Sequence, residues 1–195
     1  MRDGLTIYLI RHGETDWNRD RRYQGQMDIP LNDKGRAQAR RNGQALQTLM
    51  PAIAQSDFVA SPLGRARETM EIVRAAMGLA PNPYRLEDRL RELNYGHWEG
   101  KLQSELPEFD AAGLAERAKD PFRWRPACGE SYADLLGRTI DWLQSVDRDT
   151  VVAAHGGIGR CLRAHVLGLD PETIPCLESP QDRVLALTGR TMRWI

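Results

Sequence analysis

The chain is predicted to fold as an α/β protein, a three-layer α/β/α sandwich with a mostly parallel central sheet and a small cap insertion, and three observations predict it. Short apolar runs of strand length alternate with amphipathic stretches of helical length along the whole sequence, the pattern of strands joined by helical crossovers. Helix-start signals stand at the junctions, Ser61-Pro62 after one apolar run and Gly129-Glu130-Ser131 before a helical stretch. The size suits one core, because 195 residues with 41% hydrophobic side chains exceed a minimal domain and fall short of two ordinary ones. Residues 1–195 are therefore read as a single domain.

In order along the chain, Thr6 to Ile10 reads as the first buried strand. A helix that Asn32 can cap follows, with Ala39, Gly43, Leu46 and Met50 on one face. Asp57 to Ala60 is the second strand, and after Ser61-Pro62 the same spacing recurs in Ala66, Met70, Val73 and Met77, read as core. The stretch from about 100 to 127 breaks the alternation. It carries Pro107, Pro121 and Pro126 among Phe109, Phe122 and Trp124, which predicts an irregular or short-helical insertion, taken as a cap. Leu136, Ile140 and Leu143 mark the next helix face. Thr150 to Ala154 is a third buried strand, with Val184 to Leu187 and Met192 to Trp194 as weaker candidates at the end. The sequence contains no internal repeat, low-complexity tract or linker.

Composition removes several function classes. The 27 basic and 27 acidic residues sum to zero, so the global field of a nucleic-acid or anionic-membrane binder is absent and neither partner is expected. Attraction for an anion has to be local. Cys128, Cys161 and Cys176 are widely spaced without a CxxC, which argues against a disulfide framework or thiolate metal site and suits a reducing cytosol. Met1 to Thr6 holds no apolar segment of signal-peptide length, and no apolar run is long enough to cross a bilayer. A soluble, cytoplasmic protein is expected.

Three predicted strands run directly into cationic or donor-rich residues: "LIRHGETDWN" after the first, "SPLGRARET" after the second, "HGGIGRCL" after the third. In open α/β sheets ligands bind beyond the carboxyl ends of the strands. Parallel neighbours would bring Arg11, His12, Arg65 and His155 into one crevice. Four such groups would repel one another unless a multiply charged anion lay between them, and a phosphoryl group matches both the charge and the guanidinium geometry. Gly156-Gly157, opening a helix, adds backbone N–H groups and a positive dipole end. Arg67 is as well explained by a solvated helix face as by function, while His97 and His165 read as structural. No HxH, HExxH or carboxylate-rich set accompanies the histidines, so neither a metal nor another cofactor is expected. A GxSxG elbow is absent and Cys161 falls in an apolar helical pattern, which leaves histidine as the nucleophile. A neutral imidazole, held through its other nitrogen, would attack phosphorus in line while arginines neutralise the equatorial oxygens.

These stretches, with "LRELNYGHWEG" between them, resemble the histidine phosphatase, or phosphoglycerate mutase-like, superfamily in order and over nearly the whole chain. The resemblance implies that His12 becomes phosphohistidine, that Arg11, Arg65 and His155 complete the phosphate pocket, and that Asn18 adds a phosphate contact. Glu92 falls where the family places its proton donor, with Glu87, Asp88 and Glu99 close enough to be confused with it. The implied activity is hydrolysis of a small phosphorylated metabolite without a metal. Mutases of the family carry a longer insertion and a C-terminal tail, whereas this sequence ends at Trp194-Ile195 after a candidate strand and its "RYQGQMDIPLNDKGRAQAR" is similar to the phosphatase branch. Phosphoryl transfer of the mutase type is the runner-up, and a phospho-ligand-binding module without catalysis is the third reading. In "ACGES" a cysteine, Cys128, stands where phosphatase relatives commonly have a second glycine, so the local backbone is open to question; if Cys128 lined the pocket, activity would be oxidation-sensitive. Specificity is expected from Tyr23, Gln24 and Gly25 and from Phe122, Arg123, Trp124 and Arg125. Aromatic and arginine side chains there would seat a phosphosugar, a nucleotide or an aryl phosphate, or Phe122 and Trp124 would simply pack the cap onto the body.

Overall fold

The computed structural model describes residues 4–49, 53 and 55–195. Six strands, β1 (Thr6–Arg11), β2 (Asp57–Ala60), β3 (Arg85–Leu86), β4 (Thr150–Ala154), β5 (Val184–Thr188) and β6 (Thr191–Trp194), form one sheet in the order β3-β2-β4-β1-β5-β6. β1, β2, β3 and β4 run parallel, and β5 and β6 pair antiparallel at one side. β4, between two parallel partners, is buried at every position, which is why TVVAA reads as an unbroken apolar run.

The period-two alternation of the strands divides the core. Ile7 and Leu9 of β1 and Val152 of β4 face helices α6 (Tyr132–Ser145) and α7 (Gly156–Leu167), while Tyr8 and Ile10 of β1 and Val151 of β4 face α2 (Asp33–Gln47) and α3 (Gly64–Ala76). Two helical layers on one sheet bury both of its faces, each core side chain contributing about 1.5–3 kcal/mol. Asn32 caps α2 through Oδ1, which accepts the Gly35 N–H at 2.9 Å. Ser131 caps α6 in a reciprocal box with Asp134. α3 has no side-chain cap of its own; Asp28 Oδ1, far away in sequence, accepts the Gly64 N–H at 2.8 Å.

Several expectations change here. The buried face of α6 is centred on Leu135, Thr139, Trp142 and Leu143, and Leu136 and Ile140 lie at its margin, half-buried. The large indole of Trp142 sets the direction of that face. β3, two exposed residues at the sheet edge, leaves no apolar run in the sequence. Met50 lies outside the described residues. His165 sits on α7 but is exposed. The 100–127 stretch contains two short helices, α4 (Leu106–Phe109) and α5 (Ala111–Lys119), between turns. The first helix of the chain is a single turn, α1 (Asp16–Arg19), capped by Thr15. Among the described residues no helix is long and apolar enough to cross a membrane.

Candidate active site

The parallel strands end at one edge of the sheet, and their register brings distant residues level. The His12 N–H donates to the Ala154 carbonyl at 2.9 Å and the Ser61 N–H to the Ala153 carbonyl at 3.0 Å, so the residues following β1, β2 and β4 leave the sheet side by side. His12 and His155 meet edge to face with ring centroids 5.2 Å apart.

His12 Nδ1 lies 2.8 Å from the Gly13 carbonyl oxygen. A carbonyl only accepts, so Nδ1 carries the proton and Nε2 keeps its lone pair. Arg65 Nε approaches that nitrogen at 3.3 Å. Gly13 has no alternative residue, because a Cβ there would overlap the backbone of Gly35 in the first turn of α2. Burial, and then the charges of Arg65 and Arg11, hold the His12 imidazole well below its ordinary value. His155 is held down by burial, Arg65 and His12, and its Nε2 lies 2.7 Å from Ser61 Oγ. Both rings are therefore neutral near pH 7, and the positive charge of the site comes from arginines alone. That corrects the expectation of four mutually repelling cations.

The arginines are held by backbone carbonyls. Arg65 donates to Gly25 O and Met27 O, each at 2.6 Å, and Arg11 to Ser179 O at 2.5 Å. Gly25 has φ +53°, and a Cβ on it would overlap the Glu99 carboxylate, so no other residue presents its carbonyl to Arg65 without strain. Burial lowers the Arg65 guanidinium to about 10, with Glu92, Asp28 and Glu99 opposing, and burial lowers Arg11 as well. Both stay cationic at neutral pH.

Of the four acids grouped around "RELNYG", the cleft receives Glu92. Its Oε1 accepts the Leu93 N–H at 2.9 Å and the Gly157 N–H at 3.1 Å. Glu99 is occupied by the Gln26 and Tyr95 amides, Glu87 pairs with Arg89, and Asp88 pairs with Arg91 at the surface. The Gly157 amide, expected to face an anion, is thus spent on Glu92, whereas Gly156 does line the cleft.

The cleft has a volume of about 150 Å³ and is lined by Arg11, His12, Asn18, Gln24, Gly25, Arg65, Glu92 and Gly156, with Tyr23 at its wall. His155 lies fully buried behind it. Two donors of this group, Arg11 Nε and Gln24 Nε2, and the His155 Nδ1 atom behind them are buried and without a hydrogen-bond partner among the described residues. Arg22, Tyr95, Gln103 and Arg160 also line the cleft and were missed by sequence reasoning. Arg160 had a signal, standing one helical turn after Gly156 inside "HGGIGRCL"; Gln103 had none.

The residues expected at the cap do not reach the cleft. Phe122 is buried in the core, Trp124 packs on Trp98 at 4.5 Å between centroids, Arg123 pairs with Glu172 and Asp120, and Arg125 with Asp134. Arg67 is exposed and does not line the cleft. His97 pairs with Asp110 outside the cleft. Cys128 is exposed, away from the lining residues, with φ +59°, and the Cys161 thiol is pushed far up by burial. Among the described residues no group of three or more His, Cys, Asp or Glu side chains is placed to hold a metal.

A family model described as "Histidine phosphatase superfamily (branch 1)" matches residues 7–194. The glucosyl-3-phosphoglycerate phosphatase of Mycolicibacterium vanbaalenii is 34% identical over 185 residues, 88% of this chain and 78% of that protein. The probable phosphoglycerate mutase GpmB of Citrobacter koseri is 35% identical over 170 residues, 85% of this chain and 76% of that protein. Among solved structures, a mycobacterial glucosyl-3-phosphoglycerate phosphatase complexed with VO3 superposes with TM-score 0.79 at 31% identity, covering 98% of this chain and 96% of that one. The α-ribazole phosphatase of Shigella flexneri superposes with TM-score 0.80 at 25% identity, covering 98% and 95%.

Proposed function

The chain belongs to the histidine phosphatase superfamily, and from that premise we propose that it hydrolyses a small phosphorylated metabolite through a phosphohistidine formed on His12. One observation carries the reading: beside a neutral imidazole, whose unprotonated Nε2 accepts only the long Arg65 Nε–H contact at 3.3 Å among the described residues, stand two buried donors that lack an acceptor, Arg11 Nε and Gln24 Nε2. Leaving such donors unmet costs about 1–3 kcal/mol each. A phosphoryl group supplies the oxygens that they lack.

In the first step His12 Nε2 attacks phosphorus, the P–O bond to the metabolite breaks, and Glu92 gives its proton to the leaving alkoxide. Arg11 and Arg65 neutralise the equatorial oxygens, with Asn18, Gln24, Gly156 and His155 as further contacts. In the second step water gives a proton to Glu92 and attacks phosphorus, and the P–N bond breaks to release phosphate and neutral His12. The segment 100–127 acts as a cap by supplying Gln103 to the cleft wall and Arg117 to the Tyr23 hydroxyl at 2.9 Å. The three unbridged cysteines favour a cytoplasmic setting, and the zero net charge gives neither nucleic acid nor a membrane surface a role.

The test is turnover of p-nitrophenyl phosphate in the presence of EDTA. Hydrolysis that His12→Ala abolishes, with an acid-labile phosphoryl group trapped on His12 of the active protein, supports the reading; phosphate binding without turnover would make the chain a binding module. Relatives named for phosphoglycerate chemistry on both the phosphatase and mutase sides keep mutase-type transfer as the second reading. A panel containing glucosyl-3-phosphoglycerate, α-ribazole phosphate, and 3-phosphoglycerate with its bisphosphate separates the two.

A further inference from the structure

Three side-chain amides connect the segment before β5 to the cleft, and backbone groups at two points fix their polarity. Gln181 Nε2 lies 3.0 Å from the His12 carbonyl oxygen and 3.0 Å from Asn18 Oδ1. The carbonyl accepts and nothing else, so the Gln181 atom there is the amide nitrogen. Asn18 Oδ1 also receives the Thr15 N–H at 3.2 Å, a backbone donor, which requires an oxygen at that position. Asn18 Nδ2 then donates to Gln24 Oε1 at 3.3 Å, and the Thr15 hydroxyl donates to the same oxygen at 3.1 Å. With its oxygen used twice, Gln24 offers the cleft its NH2 group. Gln24 is 6% exposed, and that Nε2 has no partner among the described residues.

We propose that Gln181 is a positioning residue for the oxyanion site: its amide orients Asn18, and through Asn18 it orients Gln24, so that both present N–H donors to a phosphoryl group. A reversed amide at either position would set a carbonyl oxygen against the anion. The Gln181 backbone is itself anchored, since its main-chain carbonyl accepts from the fully buried Asn42 side chain at 3.0 Å, and the nearby Ser179 main-chain carbonyl holds Arg11. The stretch 179–181 thus fixes donors on both sides of His12. This inference rests on the phosphatase reading for its ligand class, and its test is a binding measurement that does not require turnover.

Orthovanadate binding by calorimetry to the full chain reads the effect. Gln181→Met removes the donor at similar size, and Gln181→Glu replaces it by an acceptor facing two acceptors. The expected weakening is about tenfold for Gln181→Met and about thirtyfold for Gln181→Glu. Because the action passes through Asn18, either substitution made on top of Asn18→Ala is expected to weaken binding by less than about twofold further. Losses that multiply in the double variants, or a lowered melting temperature with vanadate affinity intact, would overturn the proposal. Should Gln181→Met melt below the assay temperature, the isosteric Gln181→Glu decides alone. If wild type binds vanadate but does not turn over p-nitrophenyl phosphate, the phosphatase reading fails while this one is still decided by the cycle.

Discussion

The floor of the cleft and the segment around 120–134 are both rich in arginine, yet their guanidinium groups end on different partners. At the cleft, Arg11, Arg22, Arg65 and Arg160 hydrogen-bond to carbonyls of Ser179, Gly100, Gly25 and Met27, and Leu177, with His12 and the Tyr132 hydroxyl as the other partners. None has a carboxylate within ion-pair distance among the described residues. In the other region Arg123 and Arg125 close onto Asp120, Glu172 and Asp134. A guanidinium oriented by neutral dipoles keeps its charge uncompensated and ready for an anion, whereas one already paired holds two pieces of chain together.

The sharpest way to break this contrast is to remove one arginine from each region. Arg65→Ala is expected to lower kcat/KM for p-nitrophenyl phosphate by about a hundredfold to a thousandfold, the loss of one clamp on developing charge. Glu92→Gln, which keeps the amide contacts of the site but not the proton, is expected to cost about a hundredfold or more in kcat with little change in KM. Arg123→Ala, at an exposed ion pair, is expected to change kcat/KM by less than about twofold. Comparable losses at Arg65 and Arg123 would show that partner chemistry does not separate binding from structural arginines here.

A second difference concerns protons. The site buries two imidazoles whose pKa values are held well below 6.5, while the carboxylates shifted elsewhere, among them Glu87, Asp110 and Asp134, are held below their ordinary range by hydrogen bonds to their charged form. With the folded pKa depressed, the unfolded chain binds more protons below 6.5. Stability is therefore complete above about pH 6.5 and falls as the pH drops below it, by about 1.4 kcal/mol per pH unit for each imidazole that stays neutral. Urea unfolding at pH 7.5 and 5.5 measures the loss, and His155→Asn is expected to remove about half of it. An unchanged midpoint between the two pH values would mean that the rings accept protons in the folded state.

How far the site could be read in advance follows the same division. Arg11, His12, Arg65 and His155 stand within a few residues of strand ends, so a local pattern reveals them, whereas Asn18, further from β1, and Glu92 are implied only by the family resemblance. The parallel β1, β2 and β4 are equally legible, since burial on both faces leaves continuous apolar runs. Gln181 is 163 residues from Asn18 and Gln103 reaches the cleft across the 100–127 turn; their roles exist only in the packed chain. At Phe122 and Trp124 the packing alternative matches the structure, with core and Trp98 as their partners, whereas Arg123 and Arg125, whose residue type suits a ligand, end on carboxylates that are invisible in one dimension.

The smallest expected effect lies in that second region, where change should touch stability and leave chemistry alone. Cys128 is a non-glycine residue at φ +59° in the turn whose Ala127 carbonyl accepts the His97 N–H at 3.2 Å and whose Gly129 N–H donates to Pro126 at 2.9 Å. The left-handed conformation costs an L residue about 1–2 kcal/mol, and glycine avoids that cost but loses about 0.5–1 kcal/mol in added freedom of the unfolded chain. Cys128→Gly is therefore expected to stabilise by about 0.5 kcal/mol, raising Tm by about 1–2 °C, with kcat/KM unchanged because the thiol does not line the cleft. Cys128→Val, β-branched at positive φ, is expected to destabilise by about 1 kcal/mol or more. If instead the glycine variant lost activity, or mild oxidation of the wild-type thiol did so, the turn would be coupled to the cleft, and the separation between a binding floor and a packing segment would fail at its boundary.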